Sequence, residues 1–182
     1  MYAVVNLCGS PAPTSRTHAL LSQATHLLSQ QGIETRLFTI RDLSPEDLVY
    51  GNFESDALKT IQLAIEASKA VIVATPVYKA TYTGVLKALL DLLPQYAFAD
   101  KIILPMAVGG TINHLLAIDY GMKPLFSVMG AAHILKGVYA VNSQIQFTPE
   151  GAIQLEAELE ERLVQAIQEL IDSLTLKHKP FS

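Results

Sequence analysis

The sequence predicts an α/β domain built on one doubly wound parallel sheet with helices on both faces. Three observations carry that expectation. Short apolar or β-branched runs alternate with segments of helical periodicity along the chain. One run, Ala70 to Ala74, is apolar throughout, which suits a central parallel strand covered on both faces. Three loops suited to a ligand each follow a strand, at the sheet edge where open α/β folds bind.

In order, Ala3, Val4, Val5 and Leu7 read as a buried strand, and Leu20, Leu21, Ala24, Leu27 and Leu28 repeat on one face of the first helix. Gly32 ends that periodicity, and Thr35 to Ile40 reads as a second, edge strand among polar neighbours. Arg41 to Phe53, rich in Asp, Pro, Gly and Asn, reads as a surface connection. Ser55 caps a helix with Leu58, Ile61 and Ile65 on one face, ending near Lys69 ahead of the third strand, Ala70 to Ala74. After the loop Thr75 to Gly84, the helix Val85 to Leu93 is apolar almost all round and is stopped by Pro94. Lys101 to Val108 is the fourth strand. Asn113 to Met129 is a second over-apolar helical segment, in which Gly121 and Pro124 predict a kink or a bulge near Tyr120. Ala132 to Val141 is a fifth strand broken around Lys136-Gly137. Thr148-Pro149 reads as the start of a long amphipathic helix whose stripe is Leu155, Leu159, Leu163, Ile167, Leu170 and Leu174. A single domain is expected over residues 1–176, with a flexible tail at 177–182. Short connections and a switch point beside the first strand favour the flavodoxin-like order 2-1-3-4-5, which brings the loops after strands one, three and four to one crevice.

Composition narrows the function. Half of the 182 residues are hydrophobic and only 16% are charged, lean for a monomer, which points to a homo-oligomer. The two over-apolar helices are the expected interface, with Leu89 and Leu116 as its test positions. A net charge of −4 without a basic run excludes nucleic acid and anionic membrane as partners. One cysteine excludes an internal disulfide, and Cys8 reads as a small core residue in a reducing compartment. Without a charged leader or a bilayer-length apolar run, a cytoplasmic protein is expected.

The loop Gly9 to Thr17 joins a strand's carboxyl end to a helix's amino end, where unpaired N–H groups and the helix dipole favour an anion. Gly9 lets backbone approach a ligand, and Ser10, Thr14, Ser15 and Thr17 add hydroxyls. The same residues also suit plain helix capping. Neither the G-x-G-x-x-G spacing nor a G-K-[ST] ending is present, which leaves a mononucleotide phosphate as the best guest. A flavin fits the remaining loops. Pro76, Val77 and Tyr78 offer backbone, apolar surface and an aromatic face, and Gly109 and Gly110 let N–H groups reach the ring edge. Hydride transfer needs stacked cofactors rather than a side-chain acid or nucleophile, so no catalytic residue is expected.

Gly9-Ser10-Pro11, the run Ala74 to Ala80 with its Tyr82-x-Gly84-x-Leu86-Lys87 continuation, and Gly109-Gly110-Thr111 with His114 to Ala117 resemble the NAD(P)H-dependent FMN reductases. The likeness covers most of residues 3–140 and is nearest to the reductase component of the alkanesulfonate monooxygenase system. It implies a flavodoxin-like oligomer, dimer or tetramer, that reduces FMN with NADPH and supplies FMNH2 to a partner monooxygenase. Carried over by position, Ser10, Ser15 and Thr17 match the phosphate loop, Pro76, Val77 and Tyr78 the flavin loop, and Gly109, Gly110 and Thr111 the ring-edge loop. Tyr120 matches a tyrosine that some members insert as a π-bulge at a subunit interface near a neighbour's flavin. The family commonly has Arg where this chain has Ala12, so a charged phosphate contact is either absent or supplied by Arg16.

Other residues have blander expectations. Lys79 is a crevice cation or a solvated charge. His114 and His133 lack metal-ligand spacing, so no metal site is expected. Asp91 and Asp119 form intersubunit salt bridges or lie on an exposed edge, and Cys8 has no nucleophilic setting. The competing functions are a quinone, azo or metal-oxyanion reductase with tightly held FMN, and a flavodoxin-like electron carrier without reductase activity.

Overall fold

Strand β1 (Val4–Cys8) is buried along its whole length and lies inside the sheet, next to its edge strand, where its alternating side chains feed two cores. The computed structural model describes residues 3–176. The expected tail at 177–182 lies outside the described residues. Helix α1 (Arg16–Gln30) follows β1, then the edge strand β2 (Thr35–Thr39), α2 (Pro45–Tyr50), α3 (Asp56–Ala67), β3 (Ala70–Pro76), α4 (Gly84–Asp91) and β4 (Ile102–Gly109). The main sheet runs β2-β1-β3-β4-β5, parallel throughout, as expected for a flavodoxin-like order.

The broken fifth strand is two strands, β5 (His133–Ile134) and β6 (Val138–Val141), both paired with β4. Between them Gly137 adopts φ +91, a left-handed turn that resets the strand, with Pro105 backbone too near for a Cβ. One core packs α1 and the terminal helix α6 (Ala157–Leu176) on the face of Val4 and Cys8; the other packs α3, α4 and the segment 112–129 on the face of Val5 and Leu7.

Four expectations need correction. Ile40 leaves β2 to begin a 3-10 turn, Ile40–Asp42, capped reciprocally by Thr39 and Asp42. The surface connection contains α2, started by the Ser44 cap and Pro45 and ended by left-handed Gly51; none of its residues is buried. Thr148-Pro149 does not start the last helix. It lies in the turn of a hairpin formed by β7 (Ile145–Phe147) and β8 (Ile153–Leu155), with Gly151 at φ +84. Leu155 continues the helical stripe only by coincidence of spacing: it alternates with Gln154 and Ile153 as a strand residue, and α6 begins at Ala157.

The fourth correction concerns α4. Its surplus apolar residues do not face outward, because Leu86, Leu89, Leu90, Leu92 and Leu93 are all in the core. Of the two over-apolar segments, it is the second that exposes large apolar residues, at Ile112, Leu115, Leu116, Tyr120 and Val128. The expected interruption of that second segment is real: a 3-10 turn (Ile112–His114) leads to a π turn (Ile118–Met122) and then α5 (Lys123–Val128), with Pro124 in the first turn of α5.

Candidate functional site

Three loops leave the carboxyl ends of β1, β3 and β4 and are tied together by backbone and buried threonines. Gly9 N–H donates to the Ala74 carbonyl at 2.7 Å, and the Gly9 carbonyl accepts from Thr83 Oγ1 at 2.7 Å. Thr83 N–H donates in turn to Thr75 Oγ1 at 3.2 Å, while Thr83 Oγ1 caps α4 by accepting from Leu86 N–H. The second and third loops meet where Val77 N–H donates to the Val108 carbonyl at 2.8 Å. Gly9 has no room for a side chain without a shift of its neighbour: a Cβ would lie 2.8 Å from Leu86 Cβ.

In the first loop, Ser15 is the N-cap of α1, its Oγ accepting from His18 N–H at 3.1 Å. Ser10 and Thr17 are each 2% exposed, and among the described residues their hydroxyls have no hydrogen-bond partner. Thr17 lies in the first turn of the 15-residue α1 and Ser10 two residues after β1, so both unspent donors belong to the loop region that leads into the amino end of that helix, where an anion requires them. Arg16 is exposed, and its Nε donates to the Ile145 carbonyl at 3.0 Å, so the β7–β8 hairpin fixes where its guanidinium stands. Cys8 is buried and burial pushes its thiol up, so it stays protonated and unreactive.

In the second loop, Tyr78 N–H donates to the Thr81 carbonyl at 2.9 Å across a two-residue turn whose central residues, Lys79 (φ 50) and Ala80 (φ 74), are both left-handed. That is the signature of a type I′ turn, normally given to Asn-Gly, and it holds Tyr78 and Lys79 exposed at the sheet edge. In the third loop, Gly109 is covered by Tyr139, whose hydroxyl donates to the Thr111 carbonyl at 2.6 Å; Gly110 has open space where a Cβ would stand. Thr111 Oγ1 accepts from Asn113 N–H and caps the 3-10 turn.

The π turn leans on the second loop, since a Cβ on Gly121 would lie 2.7 Å from Thr81 Oγ1. Tyr120 points outward on that turn and is 79% exposed. Thus Ser10, Ser15, Thr17, Pro76, Val77, Tyr78, Gly109, Gly110 and Thr111 share one edge, whereas Tyr120 lies on the exposed side of the neighbouring segment. Asp91 and Asp119 pair within their own segments, with Lys87 at 2.5 Å and Lys123 at 2.6 Å. Sequence reasoning missed Thr75, Thr83 and Tyr139. The first two look like ordinary loop threonines, and nothing local marks Tyr139, 28 residues from its partner.

Two open cavities, of about 690 and 910 Å3, lie elsewhere: one beside the amino ends of the strands, near Lys101 and Tyr96, and one between Ile112–Asp119 and α6. Neither includes a residue of the three loops. The chemistry of the three loops, rather than either cavity, marks the edge.

Residues 2–146 match the family of NADPH-dependent FMN reductases. The chain belongs to that family. It is 45% identical over 164 residues to the FMN reductase (NADPH) of Escherichia coli (strain K12), covering 86% of each chain. It is 41% identical over 179 residues to the FMN reductase (NADPH) of Pseudomonas putida (strain KT2440), covering 97% of this chain and 90% of that one. The solved apo structure of the NADH:FMN oxidoreductase EMOB superposes with a TM-score of 0.83 at 37% identity, covering 99% of this chain and 92% of that one. This NADPH-dependent FMN reductase family member is therefore an oxidoreductase acting with FMN and NADPH, which sets the electron-carrier alternative aside. Its flavodoxin-like architecture is shared with the EMOB structure. Among the described residues, no helix is long and apolar enough to cross a membrane.

Proposed function

We propose that the three-loop edge binds FMN, takes hydride from NADPH, and releases FMNH2 to a flavin-dependent monooxygenase of the alkanesulfonate, sulfur-assimilation type, in the cytoplasm. The observation that carries the site assignment is the pair of unspent hydroxyls on Ser10, just after β1, and Thr17, in the first turn of α1. Together with the Ser15 cap and the positive end of the helix they suit a phosphate, and Arg16 adds its remaining guanidinium N–H groups where Ala12 offers nothing.

FMN supplies the ring nitrogen, N5, that accepts hydride from the nicotinamide. The chain's own residues do the rest. Pro76, Val77 and Tyr78 form an apolar and aromatic wall, and Gly110 leaves backbone open for approach to the ring edge. None of the loop segments 9–15, 75–83 and 109–111 carries Asp, Glu or His, so the edge is equipped to orient two planar rings rather than to shuttle protons.

Self-association belongs to the same reading. Ile112, Leu115, Leu116, Tyr120 and Val128 form an exposed apolar strip beside the site, and a homo-oligomer, dimer or tetramer, would bury it and bring Tyr120 near a neighbour's flavin. The deciding experiment measures NADPH oxidation against FMN concentration, with NADH, riboflavin and FAD as controls. Turnover should rise with added FMN, and riboflavin, lacking the phosphate, should bind more weakly. Turnover that ignores added flavin, in a protein that stays yellow through gel filtration, would instead support a tightly held prosthetic group.

A further inference from the structure

We propose that Tyr139, set by Arg162 of α6, is the positioning residue of the ring-edge loop, so that the terminal helix controls flavin affinity. The proposal rests on the reading of Gly109–Thr111 as that loop. Its geometry is a relay of two hydrogen bonds. Arg162 Nη1 donates to the Tyr139 carbonyl at 2.7 Å, and the Tyr139 hydroxyl donates to the Thr111 carbonyl at 2.6 Å. The phenol also closes over Gly109, where any Cβ would lie 2.0 Å from its oxygen, so the two residues are matched in shape.

The relay is needed because packing alone does not hold this loop. Gly110 and Thr111 are exposed, and the cavity of about 910 Å3 opens against Tyr139 and Arg162. The Tyr139 side chain itself is only 7% exposed, and burial pushes its hydroxyl up, so it remains a donor at any physiological pH. A trans peptide directs the Ile112 N–H opposite to the Thr111 carbonyl, so the hydroxyl fixes the orientation of that peptide on both sides. The family match ends at residue 146, before Arg162, so this support comes from a part of the chain that the family pattern does not include.

The test uses the full chain with the Tyr139→Phe, Arg162→Ala and Arg162→Lys substitutions, titrated with FMN and with riboflavin by flavin fluorescence and assayed for KM. Losing one hydrogen bond on the loop should weaken flavin about 5-fold in Tyr139→Phe. The factor should be the same for FMN and riboflavin, since the loop faces the ring, and the KM for NADPH should move less than the KM for FMN. Arg162→Ala should shift the same quantities in the same direction, and Arg162→Lys should restore them. Flavin affinity within twofold of the parent in Tyr139→Phe overturns the proposal. If that variant does not fold, a folded Arg162→Ala with parental flavin affinity overturns it instead. Ser10→Ala separates the two readings: it should weaken FMN but not riboflavin. If it does so while Tyr139→Phe changes nothing, only the relay fails; if neither variant affects FMN, the site assignment itself fails.

Discussion

Helix α4 and the segment from Ile112 to Val128 are comparably apolar in sequence, yet the structure uses them in opposite ways. In α4, Leu86, Leu89 and Leu90 are buried, and so are Leu92 and Leu93 just beyond it. The sheet lies on one side, Gly9 abuts Leu86, α2 packs nearby, and Gln62 of α3 donates to the Leu92 carbonyl at 3.2 Å. The later segment has the sheet on one side only. Ala117, Ile118, Met122, Phe126 and Met129 turn inward, Leu125 is half-buried, and Ile112, Leu115, Leu116, Tyr120 and Val128 are left facing out. Apolar content therefore states how much partner surface a helix requires, not whether the same chain supplies it.

The largest effect on stability should come from Leu89→Asp. Leu89 is 1% exposed, and removing it while burying a carboxylate should cost ~3–5 kcal/mol, enough to leave little folded protein in a urea titration. A variant that stays folded and merely changes oligomeric mass would reverse the comparison and return α4 to the interface. Next, Gly9→Ala should cost ~1–3 kcal/mol, because Leu86 Cβ stands where the new methyl must go. Thermal melts of this variant report how firmly α4 is seated on the first loop, and an unchanged midpoint would show that it is not.

A pH effect should follow from Asp47, which stabilises the connection bearing α2. Its carboxylate accepts from Ser55 Oγ and Asn52 Nδ2, both at 2.7 Å, and these bonds hold its pKa below the ordinary 3.8. A pKa depressed on folding gives stability that is present above the ordinary value and is lost as pH falls through the folded one. Melts between neutral pH and about pH 3 should therefore show a loss that Asp47→Asn reduces. Identical acid profiles for parent and variant would count against it. The smallest stability change, within ~0.5 kcal/mol, is expected for Leu116→Lys, a residue 50% exposed. Its effect should appear in light scattering as a smaller assembly; an unchanged mass would place the interface elsewhere.

Much of this was legible in the chain. The third strand announced itself by the unbroken apolar run Ala70 to Ala74, the fourth was read at Lys101 to Val108, and Gly121 with Pro124 pointed to a kink or bulge where the π turn lies. The hairpin at 145–155 was not legible, because Thr148-Pro149 imitates a helix start and Leu155 happens to keep the spacing of Leu159 and Leu163. The type I′ turn at Lys79-Ala80 carries no Asn-Gly signal, so only the backbone angles disclose it.

What the sequence determined by itself was the first four strands of the main sheet, the order of that sheet, and the three loops that meet at one edge. Those features rest on short-range patterns: periodicity, glycine, hydroxyl caps. The tertiary structure alone decided that Leu89 is core while Leu116 is surface, that Ser10 and Thr17 keep their hydroxyls unspent, and that Tyr139 and Arg162 reach the loop after β4. Burial and hydrogen bonding across tens of residues depend on which elements become neighbours, and no local pattern encodes that choice.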